Sequence, residues 1–182
     1  MNENRALANA LAKYATVGAL ALVFVVFAVL TEGGRFVSVQ NLLNIIRQFS
    51  ILAIVASGVT IAMASGELDL SVGSIVGVSG VFVAGLMLAG IAVPLAILLV
   101  ALLGAGIGLV NGLITTKMKI PSIIVTLGMS SIVTGLNYMY TKGKAVYGGI
   151  PVNYLNLGQG YIGPIPIPVI IMAIIVAILL FL

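Results

Sequence analysis

An all-α, polytopic transmembrane helical bundle is the fold class this sequence predicts, and three observations predict it. Of 182 residues, 62% are hydrophobic and only 7% are charged, whereas a soluble domain carries about 25% charged residues. The apolar residues gather into runs close to the ~20 residues a helix needs to cross a bilayer. Between two such runs, residues 51–65 and 75–90, lies the stretch Gly66-Glu67-Leu68-Asp69-Leu70-Ser71-Val72-Gly73, with two of the four acidic residues of the chain. An Asp at the centre of a membrane helix costs roughly 2.5–3.5 kcal/mol on insertion scales. A Glu and an Asp so close together, flanked by glycines, therefore predict a broken-helix motif at residues 66–73 that reaches water or a protein-lined cavity.

Composition also removes several functions. The chain has no Cys, His or Trp, so disulfides, zinc and haem sites of the usual kinds, and His-based acid–base catalysis are excluded. The net charge of +4 is spread over loops and termini, without the basic stripe that nucleic acid requires. Enzyme readings start at a disadvantage.

The elements follow in order. Residues 1–13 are a short polar start with Arg5 and Lys13. Residues 14–30 form a first span; Thr31-Glu32-Gly33-Gly34 is a poor signal-peptide cleavage site, so the span is read as retained. In residues 36–49, Val39, Leu42, Leu43, Ile46 and Phe49 share one helical face, opposite Gln40, Asn41, Asn44, Arg47 and Gln48, with Ser38 as an N-cap. That is an amphipathic interfacial helix or the wet start of the next span, residues 45–65. After the break, Asp69 or Ser71 is placed to cap a third helix through its side-chain oxygen, and residues 71–90 form that helix. Residues 91–114 make the fourth, with Pro94 near its start. Residues 115–120 are a short turn with Lys117 and Lys119, and residues 121–140 make the fifth, opened by Pro121.

Residues 141–166, rich in Gly and Pro and carrying Lys142 and Lys144, read as a loop too polar and broken to span. Residues 168–182 begin another apolar run that ends short of a full crossing, so the sequence looks cut and about six spans are expected in all. With alternating spans, Arg5, Lys13, Lys117 and Lys119 share one side and Arg35, Arg47, Lys142 and Lys144 the other. The N-terminal charges and the tight lysine turn tilt the orientation toward a cytoplasmic N-terminus.

Small residues spaced by four, Gly73 and Gly77, Gly80 and Ala84, and Gly104, Gly108 and Gly112, predict close helix packing, with a dimer surface as the sharper reading. Glu67 and Asp69 admit three roles: solvated loop residues that cap the third helix, braces that accept backbone N–H groups, or carboxylates lining a pathway. Asn111 and Asn137, near the ends of the fourth and fifth helices, either bond across helices or face a polar cavity. Thr126, Ser130 and Thr134 share a face that would suit a neutral, hydroxyl-lined path, although such hydroxyls commonly bond back to their own helix. The loop with Tyr147, Asn153, Tyr154, Asn156, Gln159 and Tyr161 suits an interfacial belt, a sugar or a protein partner.

Four stretches together resemble one family. Residues 61–73, with Gly66-Glu67-Leu68-Asp69-Leu70-Ser71-Val72-Gly73 at their centre, resemble the "GGIDLSVG" signature of the ribose/galactose-type permeases of ABC importers. Gly108-Leu109-Val110-Asn111-Gly112-Leu113-Ile114 resembles their "GxxNGxL" stretch, and residues 120–129 resemble "IPPFIVTLG". Residues 41–48 match the usual lead-in to the second helix. The order and spacing agree along essentially the whole chain. The sequence departs from the pattern at Ser65 and Glu67, where Gly and Ile are more usual.

The resemblance implies that residues 1–182 are the N-terminal portion of one permease domain in the bacterial inner membrane. It also implies that the later half, with the loop that docks on the ATPase, is missing. Implied partners are an ATP-binding cassette ATPase subunit that carries the ATP, a periplasmic sugar-binding protein, a second permease copy and the lipid bilayer. The subunit would hold no cofactor and do no covalent chemistry, passing a monosaccharide or close relative across the membrane. Glu67, Asp69 and Ser71 are then expected at the structural break, and Asn111, Thr126, Ser130 and Asn137 along the path. Two rivals stand beside this reading. An ion-coupled secondary transporter is disfavoured by the scarcity of ionisable groups in the membrane; the other rival is a non-transporting assembly subunit or remnant.

Overall fold

A computed structural model describes the backbone of residues 2–181 and the side chains of residues 14–181; the side chains of Arg5 and Lys13 lie outside the described residues. The protein is an all-α helical membrane protein, with seven α-helices and one two-stranded hairpin among the described residues. The helices are α1 Asn2–Leu30, α2 Val39–Ala64, α3 Val72–Leu88, α4 Val93–Met118, α5 Ser122–Thr141, α6 Val152–Gln159 and α7 Ile167–Leu179. The strands β1 Tyr161–Ile162 and β2 Ile165–Pro166 sit between α6 and α7. By length and composition α2, α4 and α5 can cross a membrane, and Tyr14–Leu30, α3 and α7 are shorter apolar helices. The chain divides into two compact units, Met1–Gln48 and Phe49–Leu182.

In the first unit, α1 begins within the polar start that the sequence reading left outside the span. It ends at a 3-10 turn, Glu32–Gly34, made possible by left-handed Gly33 and Gly34. The following segment folds back: the Phe36 ring packs edge-on to Phe24 and stacked on Phe27, with centroids 5.2 and 5.6 Å apart. Ser38 is the N-cap of α2. Its Oγ accepts the Asn41 N–H at 3.3 Å and donates to the Arg35 carbonyl at 2.7 Å, while Asn41 Nδ2 donates to the Phe36 carbonyl at 2.7 Å. The polar segment at residues 39–48 is thus the first turns of α2 rather than a separate interfacial helix, because no proline lies between the Ser38 cap and Gly66 and the one glycine there, Gly58, stays within the helix.

In the second unit, α3, α4 and α5 pack on one another, and α7 packs on α6 and the hairpin. Val83, Met87 and Ala96 form the buried core where α3 turns into α4, covered by Leu86, Ile91, Val100 and, from the following segments, Ile150 and Tyr154. Two places differ from what the sequence predicts. α4 runs to Met118 instead of stopping at residue 114, since Thr116 bonds back to the Gly112 carbonyl at 2.7 Å and nothing breaks the helix before Pro121. Lys117 therefore lies in its last turn, where a cation suits the helix dipole, and Lys119 closes it in the left-handed region at φ 56°. The segment 141–166 is not a plain loop. Pro151 starts α6, Gly160 ends it with its N–H on the Asn156 carbonyl at 2.8 Å, and left-handed Gly163 opens the two-residue turn joining β1 to β2.

The small-residue spacings do not mark the contacts within this chain. A Cβ on Gly73, Gly77, Gly80, Gly108 or Gly112 would meet nothing within 4 Å, and only Gly104 is approached, by Ile75 Cγ2 at 3.8 Å. The close approach lies elsewhere: the Tyr140 phenol of α5 covers Gly85 of α3, where a Cβ would collide with its hydroxyl.

Candidate functional site

α2 ends on a glycine. Gly66 adopts φ 82°, its N–H bonds the Met63 carbonyl at 2.9 Å, and the Glu67 N–H bonds the Ala62 carbonyl at 3.2 Å. These are the paired bonds of a Schellman cap. α3 ends the same way at Gly90, with Gly90 N–H on Met87 and Ile91 N–H on Leu86, both at 3.0 Å. There the residue after the glycine is apolar, and Ile91 and Leu86 both pack on the core. At α2 that position is Glu67, exposed and without a side-chain hydrogen bond among the described residues, so the apolar contact that usually accompanies this cap is absent. Glu67→Ile would supply it against Ala62. It is expected to raise the thermal midpoint of the detergent-solubilised protein slightly, by less than about 1 kcal/mol of stability. A lowered midpoint would show that the carboxylate is held by a contact outside this chain.

Beyond the cap the chain from Glu67 to Leu70 takes no regular secondary structure and lies along the first turn of α5. The Ser122 hydroxyl accepts the Leu68 N–H at 3.2 Å. The Thr126 hydroxyl accepts the Leu70 N–H at 3.1 Å, and its proton is shared between the Ser122 carbonyl at 2.8 Å and the Leu68 carbonyl at 3.3 Å. Geometry makes this possible. Alternate N–H groups on one edge of a strand are about 6.6 Å apart, and residues four apart on a helix rise about 6 Å. Ser122 and Thr126 thus act as a substitute strand for backbone groups that would otherwise be unpaired.

Asp69 faces the start of α3. Its Oδ1 accepts both the Ser71 N–H at 2.8 Å and the Ser71 hydroxyl at 2.6 Å, charge-assisted bonds near a helix N-terminus where an anion is favoured. Ser71 does not cap α3 with its side chain as the sequence reading allowed: its one proton is committed to Asp69, and its oxygen accepts from Asn111 Nδ2 of α4 at 3.0 Å. Ser71, Asn111 and Thr126 are all buried. The knot Asp69–Ser71–Asn111, together with Ser122–Thr126, ties the break to α3, α4 and α5 at once. Asn111 lies seven residues before Met118, the end of α4, about 10 Å along the helix. α3 therefore begins roughly two turns inside the level of that end, and the irregular residues cover the difference.

Of the seven candidate residues, Asp69, Ser71, Asn111 and Thr126 converge. Glu67 stands beside them at the surface. Ser130, one turn further along α5, is half-buried, and its hydroxyl makes no hydrogen bond with a described residue. Asn137 lies near the far end of α5, and its Oδ1, like that of Asn111, is buried without a partner. Ser122 was missed. Its signal was the position, just after Pro121 and four residues before Thr126, where a hydroxyl at a helix start has a free side to offer.

With this geometry in place, comparison with known proteins gives a consistent answer. The family described as "Branched-chain amino acid transport system / permease component" matches residues 41–182. The chain is 34% identical over 162 residues to the ribose import permease protein of Haemophilus influenzae, covering 87% of this chain and 50% of that protein. It is 37% identical over 154 residues to the ribose import permease protein of Bacillus subtilis, covering 84% of this chain and 48% of the other. It is 36% identical over 114 residues to an autoinducer 2 import system permease protein of Escherichia coli, covering 63% of this chain and 33% of that one. The chain spans about half the length of the ribose permeases it matches. No solved structure matches. The chain belongs to the ribose/galactose-type permease family of ABC importers.

Proposed function

We propose that this chain is the N-terminal portion of a transmembrane permease subunit that imports a monosaccharide or a closely related sugar-like solute. The observation that carries the reading is the similarity to ribose import permeases along 87% of the chain; the four residues that converge at the break lie within the span 41–182 that matches the family. The substrate arrives from a periplasmic binding protein, and a separate ATP-binding cassette subunit hydrolyses ATP. The permease works as a pair in the bacterial inner membrane. α1 to α5 and α7 are its spans here, the N-terminus is cytoplasmic, and residues 143–166 lie on the periplasmic side, where α6 and the hairpin offer their tyrosines and amides to the binding protein. The helix break supports a path in its own way: irregular backbone at membrane depth is tolerated where protein or a water-filled cavity satisfies it.

The test is reconstitution of the full-length permease with its ATPase and binding protein in liposomes. Ribose uptake is expected to require ATP and to persist when an uncoupler removes the proton gradient. Uptake that collapses with the uncoupler while ATP is maintained would establish the ion-coupled rival instead.

A further inference from the structure

Left-handed backbone is glycine's region, and among the described residues two others adopt it, Lys119 at φ 56° and Lys142 at φ 52°. Both close helices: Lys119 ends α4 and Lys142 ends α5. The backbone does not ask for lysine at either place. Gly143, next to Lys142, is itself left-handed at φ 71°, so a glycine is at hand for the turn. Nor does the helix dipole ask for it at α4, where Lys117 already stands in the last turn. A lysine kept in a strained conformation at both places is an outlier that points to a function.

The two lysines bound one helix. α5 is 20 residues long, about 30 Å, which matches the hydrocarbon core of a bilayer, and it is apolar enough to cross. Each lysine has a second beside it, Lys117 and Lys144, and all four are exposed. In the second unit the acids are Glu67 and Asp69 alone. Asp69 is committed to Ser71, and Glu67 adjoins Leu68, which bonds Ser122 at the other end of α5 from Lys142. Lys142 and Lys144 therefore have no carboxylate of their unit within reach, and Lys117 and Lys119 outnumber theirs. Met118 is exposed between the first pair. The exposed Tyr138 ring lies against Gly143, between the second pair, where a Cβ would meet its Cε2 at 3.0 Å. Tyrosine is enriched at the headgroup level of a membrane. An acidic protein surface would account for one pair; a layer of phosphates at each end of α5 accounts for both and for their spacing.

We propose that the pairs Lys117/Lys119 and Lys142/Lys144 each bind the phosphate of an anionic phospholipid, one in each leaflet, and so fix the depth of α5 in the bilayer. An ammonium binds phosphate as a point charge, and its methylene stem lies along apolar surface while the charge reaches the headgroups. α5 also carries Ser122 and Thr126, which hold the break, so the lipids set the depth of the break as well. The inference rests on the crossing of α5 in the reading above and is independent of the solute imported.

The test uses the full-length permease in neutral detergent and reads its thermal midpoint as phosphatidylglycerol, phosphatidylcholine or free glycerol phosphate is added. Phosphatidylglycerol is expected to raise the midpoint more than phosphatidylcholine does, and glycerol phosphate to leave it unchanged. Lys119→Gly and Lys142→Gly keep the turn without its strain, so their midpoints without lipid should stay close to wild type. Each is expected to lose about half of the extra shift given by phosphatidylglycerol, and the double variant nearly all of it. Lys119→Arg with Lys142→Arg keeps both charges and should keep the shift. A full shift in the double glycine variant overturns the proposal, as does an equal wild-type shift from phosphatidylcholine or glycerol phosphate. Poorer recovery of the ATPase or the binding protein with an unchanged lipid shift also overturns it, assigning the lysines to a protein surface. This chain has no cysteine, so Lys117→Cys and Lys144→Cys, labelled in closed vesicles, tell two failures apart. Labelling from the same side defeats the crossing of α5; labelling from opposite sides without a lipid shift defeats only the phosphate sites.

Discussion

Replacing Asp69 with alanine will unfasten the start of α3. One carboxylate oxygen holds both the N–H and the hydroxyl of Ser71, and hydrogen bonds to a charged group contribute about 1.5–3 kcal/mol each. Because Ser71 is fully buried, water does not replace the lost acceptor. The freed Ser71 hydroxyl must then turn elsewhere, which loosens its grip on Asn111 and with it the tie between α3 and α4. Asp69→Ala is expected to destabilise the protein by about 3 kcal/mol or more, seen as a lower thermal midpoint in detergent and reduced protein in the membrane. Asp69→Asn keeps an acceptor oxygen without the charge and should fall between the two. An alanine variant with the wild-type midpoint and wild-type membrane level would show that the bonds to Ser71 do not hold the break together.

The break was legible in the sequence because charge between apolar runs is too costly to be incidental, and the four residues that converge there had each been singled out by chemistry. What was not legible is pairing at a distance. Thr126 looked like a hydroxyl that bonds back to its own helix, and it does so; nothing local tells that it also serves Leu68 and Leu70, more than fifty positions earlier. Ser122 was passed over for the same reason. The Schellman cap explains Gly66 and shows where Glu67 sits, but its exposed carboxylate gains no role from the cap.

Elsewhere the errors have local causes. The end of α4 was placed too early because two threonines and two lysines look polar, although Thr116 satisfies itself within the helix. The glycine- and proline-rich segment hid α6 because eight residues are too few for a periodicity to stand out; Pro151 and Gly160, at its two ends, were the available marks. The glycine spacings on α3 and α4 predict contact faces, yet on these helices the glycine covered by a neighbour is Gly85, under Tyr140. Spacing alone does not say which partner a small residue admits.

Thr126→Val isolates the other half of the knot. Valine keeps the shape and the β-branch but removes the hydroxyl, leaving the Leu70 N–H without an acceptor and the Leu68 carbonyl without its donor. Leu68 and Leu70 are exposed residues and their bonds to Thr126 are only partly buried, so water takes over part of the pairing and a loss of about 1–2 kcal/mol is expected, read as a lower thermal midpoint and faster proteolysis between Gly66 and Ser71. Thr126→Ser restores the hydroxyl at the price of one methyl and should recover most of the loss. Thr116→Val is the control that separates the two duties of a helical threonine. Thr116 makes the same bond to the carbonyl four residues earlier, at 2.7 Å, is exposed, and holds no other segment. Such back-bonding adds little to a helix, so that variant should unfold like the wild type. If both valine variants lower the midpoint equally, the cost comes from the helix-internal bond, and the irregular segment at the break is held by something other than α5. If only Thr126→Val does so, a hydroxyl on one helix is completing the hydrogen bonding of a broken one.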